Sequence, residues 1–278
     1  MKREAGILMP ISSLPSNQGI GDFGKHPYRF IDAISKQNIH IWQILPLNPA
    51  GYGNSPYQPY SSFAGDEIYI SLDTLADYGL IKQSSVRNFN KFSDAVDFEG
   101  VRAFKEPYFR KAYKTFLKNF HQFEKEYQLF CSTAEWLYPY AVFIVLKRKN
   151  ENKPWQEWKK EERDWIDSRQ LSLEDMEDEI KYHQFLQFIF YKQWNDIKKY
   201  AEKHHVKILG DIPFYVGLDS ADVWQYKNQF LLDENGYPSF VAGVPPDYFS
   251  ETGQRWGNPI YDWNIMKKNR YDFWMKRL

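Results

Sequence analysis

The sequence predicts an α/β protein organised on a parallel sheet, and three observations carry that reading. The stretch 206–216, V-K-I-L-G-D-I-P-F-Y-V, follows a charged helical segment, is rich in β-branched residues and is stopped by Pro213. That is how a buried parallel strand reads. Residues 5–9 and 39–45 are two similar apolar runs, closed by Pro10 and Pro46. Between them Pro27 opens a helix with Phe30, Ile31 and Ile34 on one face, so the chain begins β–loop–α–β. Finally, each run is followed by a long loop rich in Gly, Pro and aromatic residues. In barrels and open α/β sheets, ligands and chemistry sit on the loops after the strands.

Composition limits the function classes. Lys plus Arg equals Asp plus Glu at 36 each, so the formal net charge of the 278 residues is zero. No nucleic acid or membrane surface is expected as a partner. Aromatic residues make up 18% of the chain, with 10 Trp, 20 Tyr and 21 Phe. They fill cores, and they are also the flat surfaces on which sugar rings stack. Cys131 is the lone cysteine, which fits a reducing compartment. The apolar run at 5–9 is too short for a signal-peptide core and no run approaches a membrane span, so a cytoplasmic protein is expected.

Taken in order, the strand at 5–9 leads into I-S-S-L-P-S-N-Q-G-I-G-D-F-G, residues 11–24. Its glycines at 19, 21 and 24 imply a demanding backbone path, but the spacing is not that of a dinucleotide fingerprint. The strand at 39–45 leads into the loop 46–65, P-L-N-P-A-G-Y-G-N-S-P-Y-Q-P-Y-S-S-F-A-G. Its length and its aromatics with few charges mark a binding loop rather than disorder. Residues 68–72 form a short strand candidate. From about 100 to 200 the pattern becomes helical. Phe104, Phe109, Tyr113, Phe116, Phe120, Phe123, Tyr127 and Phe130 lie on one face of a long amphipathic helix, whose role is core packing. Helices are expected over 136–147 and 180–204. A charged connection carrying Trp155, Trp158 and Trp165 lies between them. After the strand at 206–212 come a short strand at 229–232, a D-E-N-G turn and a second long aromatic loop at 241–263. A helix over 265–278 has no glycine stop and reads as cut rather than finished.

The three post-strand loops combine Tyr and Trp with scattered Asp, Asn, Ser and Gln. This is the composition of a sugar-binding cleft. Breaking a glycosidic bond needs two carboxyl groups flanking it. Asp211, Asp219, Asp222, Asp247 and Glu251 are available, and their spacing does not select a pair. The histidines show no metal-ligand spacing, Cys131 has no nucleophile context, and neither G-x-S-x-G nor a P-loop occurs. No metal and no cofactor is expected.

Five motifs together resemble those of 4-α-glucanotransferases of the amylomaltase, or disproportionating enzyme, type. They are S-L-P-S with G-I-G-D-F-G, then W-Q-I-L-P-L, S-P-Y-Q-P-Y-S-S-F-A-G, G-D-I-P-F-Y-V, and G-V-P-P-D-Y-F-S-E-T-G-Q-R-W-G-N-P-I-Y-D-W. They occur in order from residue 12 to 263. The helical middle matches only in kind, through pieces such as W-L-Y-P-Y-A-V-F.

The resemblance implies the N-terminal part of a (β/α)8 barrel of the α-amylase clan with an inserted helical subdomain. On that basis residues 1–98 would hold the first barrel units and a binding loop, and 99–180 the insertion. Residues 181–278 would hold a barrel helix, the third strand, a cleft-covering loop and the next helix. The resemblance also implies a retaining transfer of an α-1,4-glucan segment to the 4-hydroxyl of glucose or another glucan. The partners would be maltooligosaccharides and other α-1,4-glucans. The family's nucleophile lies in an R-I-D-H-F-R-G type segment that this chain lacks, so its catalytic carboxyl groups are expected beyond Leu278. Substrate binding carries over, to Asp211 after the third strand, to Ser55 and Tyr57 of S-P-Y, and to Tyr248 and Trp256 on the covering loop. The rival readings are a glucan hydrolase of the same clan and a non-catalytic glucan-binding protein.

Overall fold

The run at 39–45 becomes the middle strand of a three-stranded parallel sheet, with Trp42 and Ile44 buried. The computed structural model describes residues 3–89 and 95–278. In chain order the elements are β1 (Gly6–Leu8), α1 (Lys25–Lys36), β2 (Ile41–Gln43), α2 (Leu72–Asp77), α3 (Phe98–Lys118), α4 (Glu124–Thr133) and α5 (Leu137–Lys149). They continue with the single turns α6 (Lys160–Arg163) and α7 (Trp165–Ser168), then α8 (Glu177–Lys203), β3 (Lys207–Leu209), α9 (Ala221–Gln225), β4 (Val241–Val244), β5 (Gln254–Pro259), α10 (Trp263–Lys268) and α11 (Asp272–Arg277). The contacts divide the chain into two units. The first comprises Met1–Leu47, Gly65–Ala134 and Tyr182–Asp211, the second Asn48–Ala64, Glu135–Lys181 and Ile212–Leu278. The helices α3 and α4 therefore belong to the first unit, and α5 to α7 to the second.

In the first unit β2 pairs on both sides, Trp42 opposite Ile7 and opposite Ile208. The Trp42 ring is fully buried, and its Nε1 donates to the Met9 carbonyl at 2.8 Å. One helix, α1, closes with Asn38 in the left-handed region (φ +55°) and an Ile39 N–H to Ile34 carbonyl bond, a local stop that feeds directly into β2. Two elements differ from expectation. Residues 68–72 are no strand. Asp66 caps a 3-10 turn at Glu67–Tyr69, and Ser71 caps α2, so local side-chain acceptors win over the β-branched pattern. The long aromatic helix is also broken, at Asn119 and a 3-10 turn at Phe120–Gln122. Its aromatics keep the same periodicity because they converge on one ring of α8. Phe116, Phe123, Tyr127 and Phe130 lie 6.1, 6.5, 5.4 and 6.0 Å from Phe188. In a straight helix residues 116 and 130 would be about 20 Å apart and could not share that partner.

In the second unit the three tryptophans of the charged connection are core. Trp165 stacks on Trp224 at 6.0 Å and 8°, Phe143 packs on Trp158 and on Trp224, and the Trp224 Nε1 donates to the Arg163 carbonyl. Of the charges around them, Glu157, Lys159, Lys160 and Glu161 are exposed, while Glu162 is buried and pairs with Lys149 at 2.8 Å. The expected strand at 229–232 is a 3-10 turn at Lys227–Gln229 followed by single bridges, Phe230 to Tyr261 and Leu232 to Pro238. The long loop at 241–263 is instead built on an antiparallel hairpin of β4 and β5. A Cβ on Gly243 would meet the Gln254 carbonyl at 2.4 Å, so the strands approach closely only because that residue is glycine. The terminal helix is two short ones. Asp262 caps α10, and Arg270 and Tyr271 take left-handed conformations before α11. Among the described residues no single helix is long and apolar enough to cross a membrane.

Candidate functional site

Asp211 lies two residues past β3, in the first unit, half-buried at the C-terminal end of the sheet. The other candidates, Ser55, Tyr57, Tyr248 and Trp256, belong to the second unit.

Ser55 and Tyr57 sit at the tip of the loop 48–64. Two inward backbone bonds, Gly51 N–H to the Gln58 carbonyl and Tyr60 N–H to the Pro49 carbonyl, turn this loop into a closed finger. A Cβ on Gly51 would stand 2.5 Å from the Gln58 carbonyl, so the finger needs glycine there. At the tip the Ser55 hydroxyl accepts the Tyr57 N–H at 3.3 Å and the Ser55 carbonyl accepts the Gln58 N–H, which holds the Tyr57 ring out, 46% exposed. At the base, Asn48 Nδ2 donates to the Ala64 carbonyl at 2.8 Å.

Tyr248 and Trp256 share the β4–β5 hairpin. Its tip is a turn in which Asp247 Oδ1 accepts the N–H groups of Phe249 and Ser250, both at 2.9 Å. That turn leaves Tyr248 97% and Phe249 87% exposed, edge to face at 5.6 Å. Sequence reasoning passed over Phe249, although an adjacent aromatic pair beside an Asx turn was a signal for it. Trp256 stands on β5 with its Nε1 on Gln254 Oε1 at 3.0 Å and its ring against Tyr215.

Three of the five acids that spacing left open hold the fold. Asp219 pairs with Lys147 and accepts the Trp155 N–H. Burial pushes its carboxyl up, and Lys147 pulls it back. Asp222 is buried against Ser61 and Ser62, and burial raises its carboxyl too. Asp247 ties the hairpin turn. Among the described residues no three His, Cys, Asp or Glu side chains group as a metal site.

The family model described as 4-alpha-glucanotransferase matches residues 9–278. The chain belongs to that family. Its 4-alpha-glucanotransferase relatives include that of Synechocystis, 42% identical over 99% of this chain and 56% of the relative, and that of Streptococcus pneumoniae, 40% identical over 100% and 55%. Among solved structures, the amylomaltase of Streptococcus agalactiae in complex with acarbose superposes with a TM-score of 0.93. It is 38% identical and covers 99% of this chain and 56% of its own. The amylomaltase of Corynebacterium glutamicum, at 18% identity and a TM-score of 0.72, shares the fold over 99% of this chain and 38% of its own. The chain thus spans about half the length of the curated 4-alpha-glucanotransferases it matches. The fold class is the amylomaltase one, mixed α/β with β1, β2 and β3 as strands of a partial barrel.

Proposed function

We propose that this chain supplies the glucan-holding part of a 4-α-glucanotransferase, which moves a segment of α-1,4-glucan to the 4-hydroxyl of glucose or of another glucan. The observation that carries the reading is the likeness, at a TM-score of 0.93, to an amylomaltase solved with acarbose. Ser55 and Tyr57 of the finger are contacts for glucan, and Asp211, on the other unit, is a separate candidate contact. Asp211 offers a carboxylate to glucan hydroxyls, and a charge-assisted hydrogen bond of that kind is about twice as strong as a neutral one. Tyr248 and Trp256, with Phe249 beside them, offer flat faces to further glucose units. The retaining reaction needs one carboxylate to attack the anomeric carbon and one carboxyl to protonate the leaving oxygen. Neither role is assigned to a residue of this chain, and Asp219, Asp222 and Asp247 are engaged in holding loops. The ligands are maltooligosaccharides and α-1,4-glucans, and a reducing compartment such as the cytoplasm suits the lone Cys131.

Calorimetric titration with maltoheptaose tests the binding role. Saturable binding is expected, with none for cellohexaose, whose glucose units are β-linked. Equal binding of the two glucans, or of neither, overturns the reading. Transfer is separated from hydrolysis in the protein that carries this chain by feeding maltotriose. Longer oligosaccharides mark transfer, and glucose without longer products marks a hydrolase. Tyr57→Ala and Trp256→Ala are each expected to weaken maltoheptaose binding by about five- to tenfold, on the order of 1 kcal/mol for a stacked ring. Their melting temperatures should stay at the wild-type value, because both rings are over 40% exposed.

A further inference from the structure

The finger at 48–64 has little regular structure of its own, and ordering 17 such residues carries a large entropy cost. Its internal bonds close the finger on itself. On its C-terminal side three consecutive residues are held by one short helix. The Ala221 N–H donates to the Tyr60 carbonyl at 2.8 Å. The Ser61 hydroxyl donates to Asp222 Oδ1 at 3.2 Å, and the Ser62 N–H donates to Asp222 Oδ2 at 2.7 Å. Ser61 passes the constraint on, because its hydroxyl oxygen accepts the N–H groups of Phe63 and Ala64. Asp222 is 2% exposed, and a carboxylate is buried only where donors replace its water. Helix α9, which carries it, is itself fixed by the Ser220 cap and by the Trp224 ring in the core.

Asp222 is therefore rigid, buried and aimed at the root of the loop that presents Ser55 and Tyr57. We propose that Asp222 is the positioning residue of the sugar-binding finger: it clamps Ser61 and Ser62 and thereby sets where Ser55 and Tyr57 meet the glucan. The inference rests on the glucan-binding role given above for Ser55 and Tyr57. It assigns Asp222 no contact with sugar and no proton transfer. A carboxylate suits the task because its two oxygens accept from a hydroxyl and a backbone N–H at once. An asparagine offers one oxygen and one NH2 group, so it can keep the Ser62 bond while the Ser61 hydroxyl must reverse its role.

The test uses the 278-residue chain with Asp222→Ala, Asp222→Asn and Ser61→Ala, read in two independent ways. Hydrogen exchange needs no sugar. The amides of residues 55–64 are expected to exchange at least tenfold faster in Asp222→Ala, while those of α5 and α8 keep wild-type rates. Calorimetry with maltoheptaose should then give roughly tenfold weaker binding for Asp222→Ala, with Asp222→Asn and Ser61→Ala intermediate. Unchanged exchange at 55–64, or a rise spread evenly over α5 and α8 in the two milder variants, overturns the proposal. So does wild-type affinity in a variant whose finger exchanges faster. If the wild-type chain binds no maltoheptaose, the functional reading fails, while the exchange data still decide whether Asp222 clamps the finger. If Asp222→Ala does not fold, Asp222→Asn and Ser61→Ala carry both measurements.

Discussion

Replacing Lys105 with methionine is expected to destabilise the first unit by about 3–5 kcal/mol, the usual loss when one partner of a buried ionic cluster is removed. Lys105 is fully buried inside α3. Its Nζ donates to the Ile68 carbonyl at 2.7 Å and the Ile70 carbonyl at 2.9 Å, and lies 3.6 Å from Asp22. Methionine fills the same volume but leaves two carbonyls without a donor and the Asp22 carboxylate without its nearest cation. Urea denaturation of both proteins measures the difference, and a loss under about 1 kcal/mol contradicts the account. A pH series gives a second check. Burial pushes the Lys105 ammonium down from its usual 10.5, and Asp22 only partly restores it. The unfolded chain therefore binds more protons at this group than the folded chain over the window between the lowered value and 10.5. There the stability slope with pH is positive. Wild-type stability relative to Lys105→Met should rise as pH goes up through that window and level off above 10.5. A gap that narrows instead contradicts the assigned direction.

The second large effect is expected at Asp211. Asp211→Ala should weaken maltoheptaose binding by about 1.5–3 kcal/mol, the range for a hydrogen bond to a charged group, which is roughly 10- to 150-fold in Kd. Asp211→Asn keeps one acceptor oxygen and should fall between. The residue lies on the chain leaving β3, and the melting temperature of each variant is read beside its affinity. An affinity within twofold of wild type removes Asp211 from the sugar site. A collapse in melting temperature makes its role structural.

Much of the fold was legible in the chain. The three parallel strands, α1 and the core faces of α3, α5 and α8 follow from the residue types and spacing of their runs, but β1 and β3 are not the buried strands expected, since Leu8 and Leu209 are each 52% exposed. The motifs around Ser55, Tyr57, Asp211, Tyr248 and Trp256 were legible as a family resemblance, because each carries a recognisable mixture of glycine, proline and aromatics. The failures are local contests with close rivals. Periodicity does not distinguish one long helix from two that share a partner, as at Asn119. β-branched residues at 68–72 lost to the caps of Asp66 and Ser71. A glycine-marked hairpin at 241–259 resembled a loop because its strands are short and bulged.

The sequence alone determined the parallel strand core, the loops that carry the sugar-binding candidates and the 4-α-glucanotransferase resemblance, since each is written in residues close together along the chain. Only the tertiary structure decided which acids are structural. Asp219 meets Lys147 across 72 residues, and Asp222 meets Ser62 across 160. It likewise turned a charged, tryptophan-bearing connection into core around Trp224. A carboxylate's work depends on which donors replace its water, and those donors come from parts of the chain that no local pattern connects.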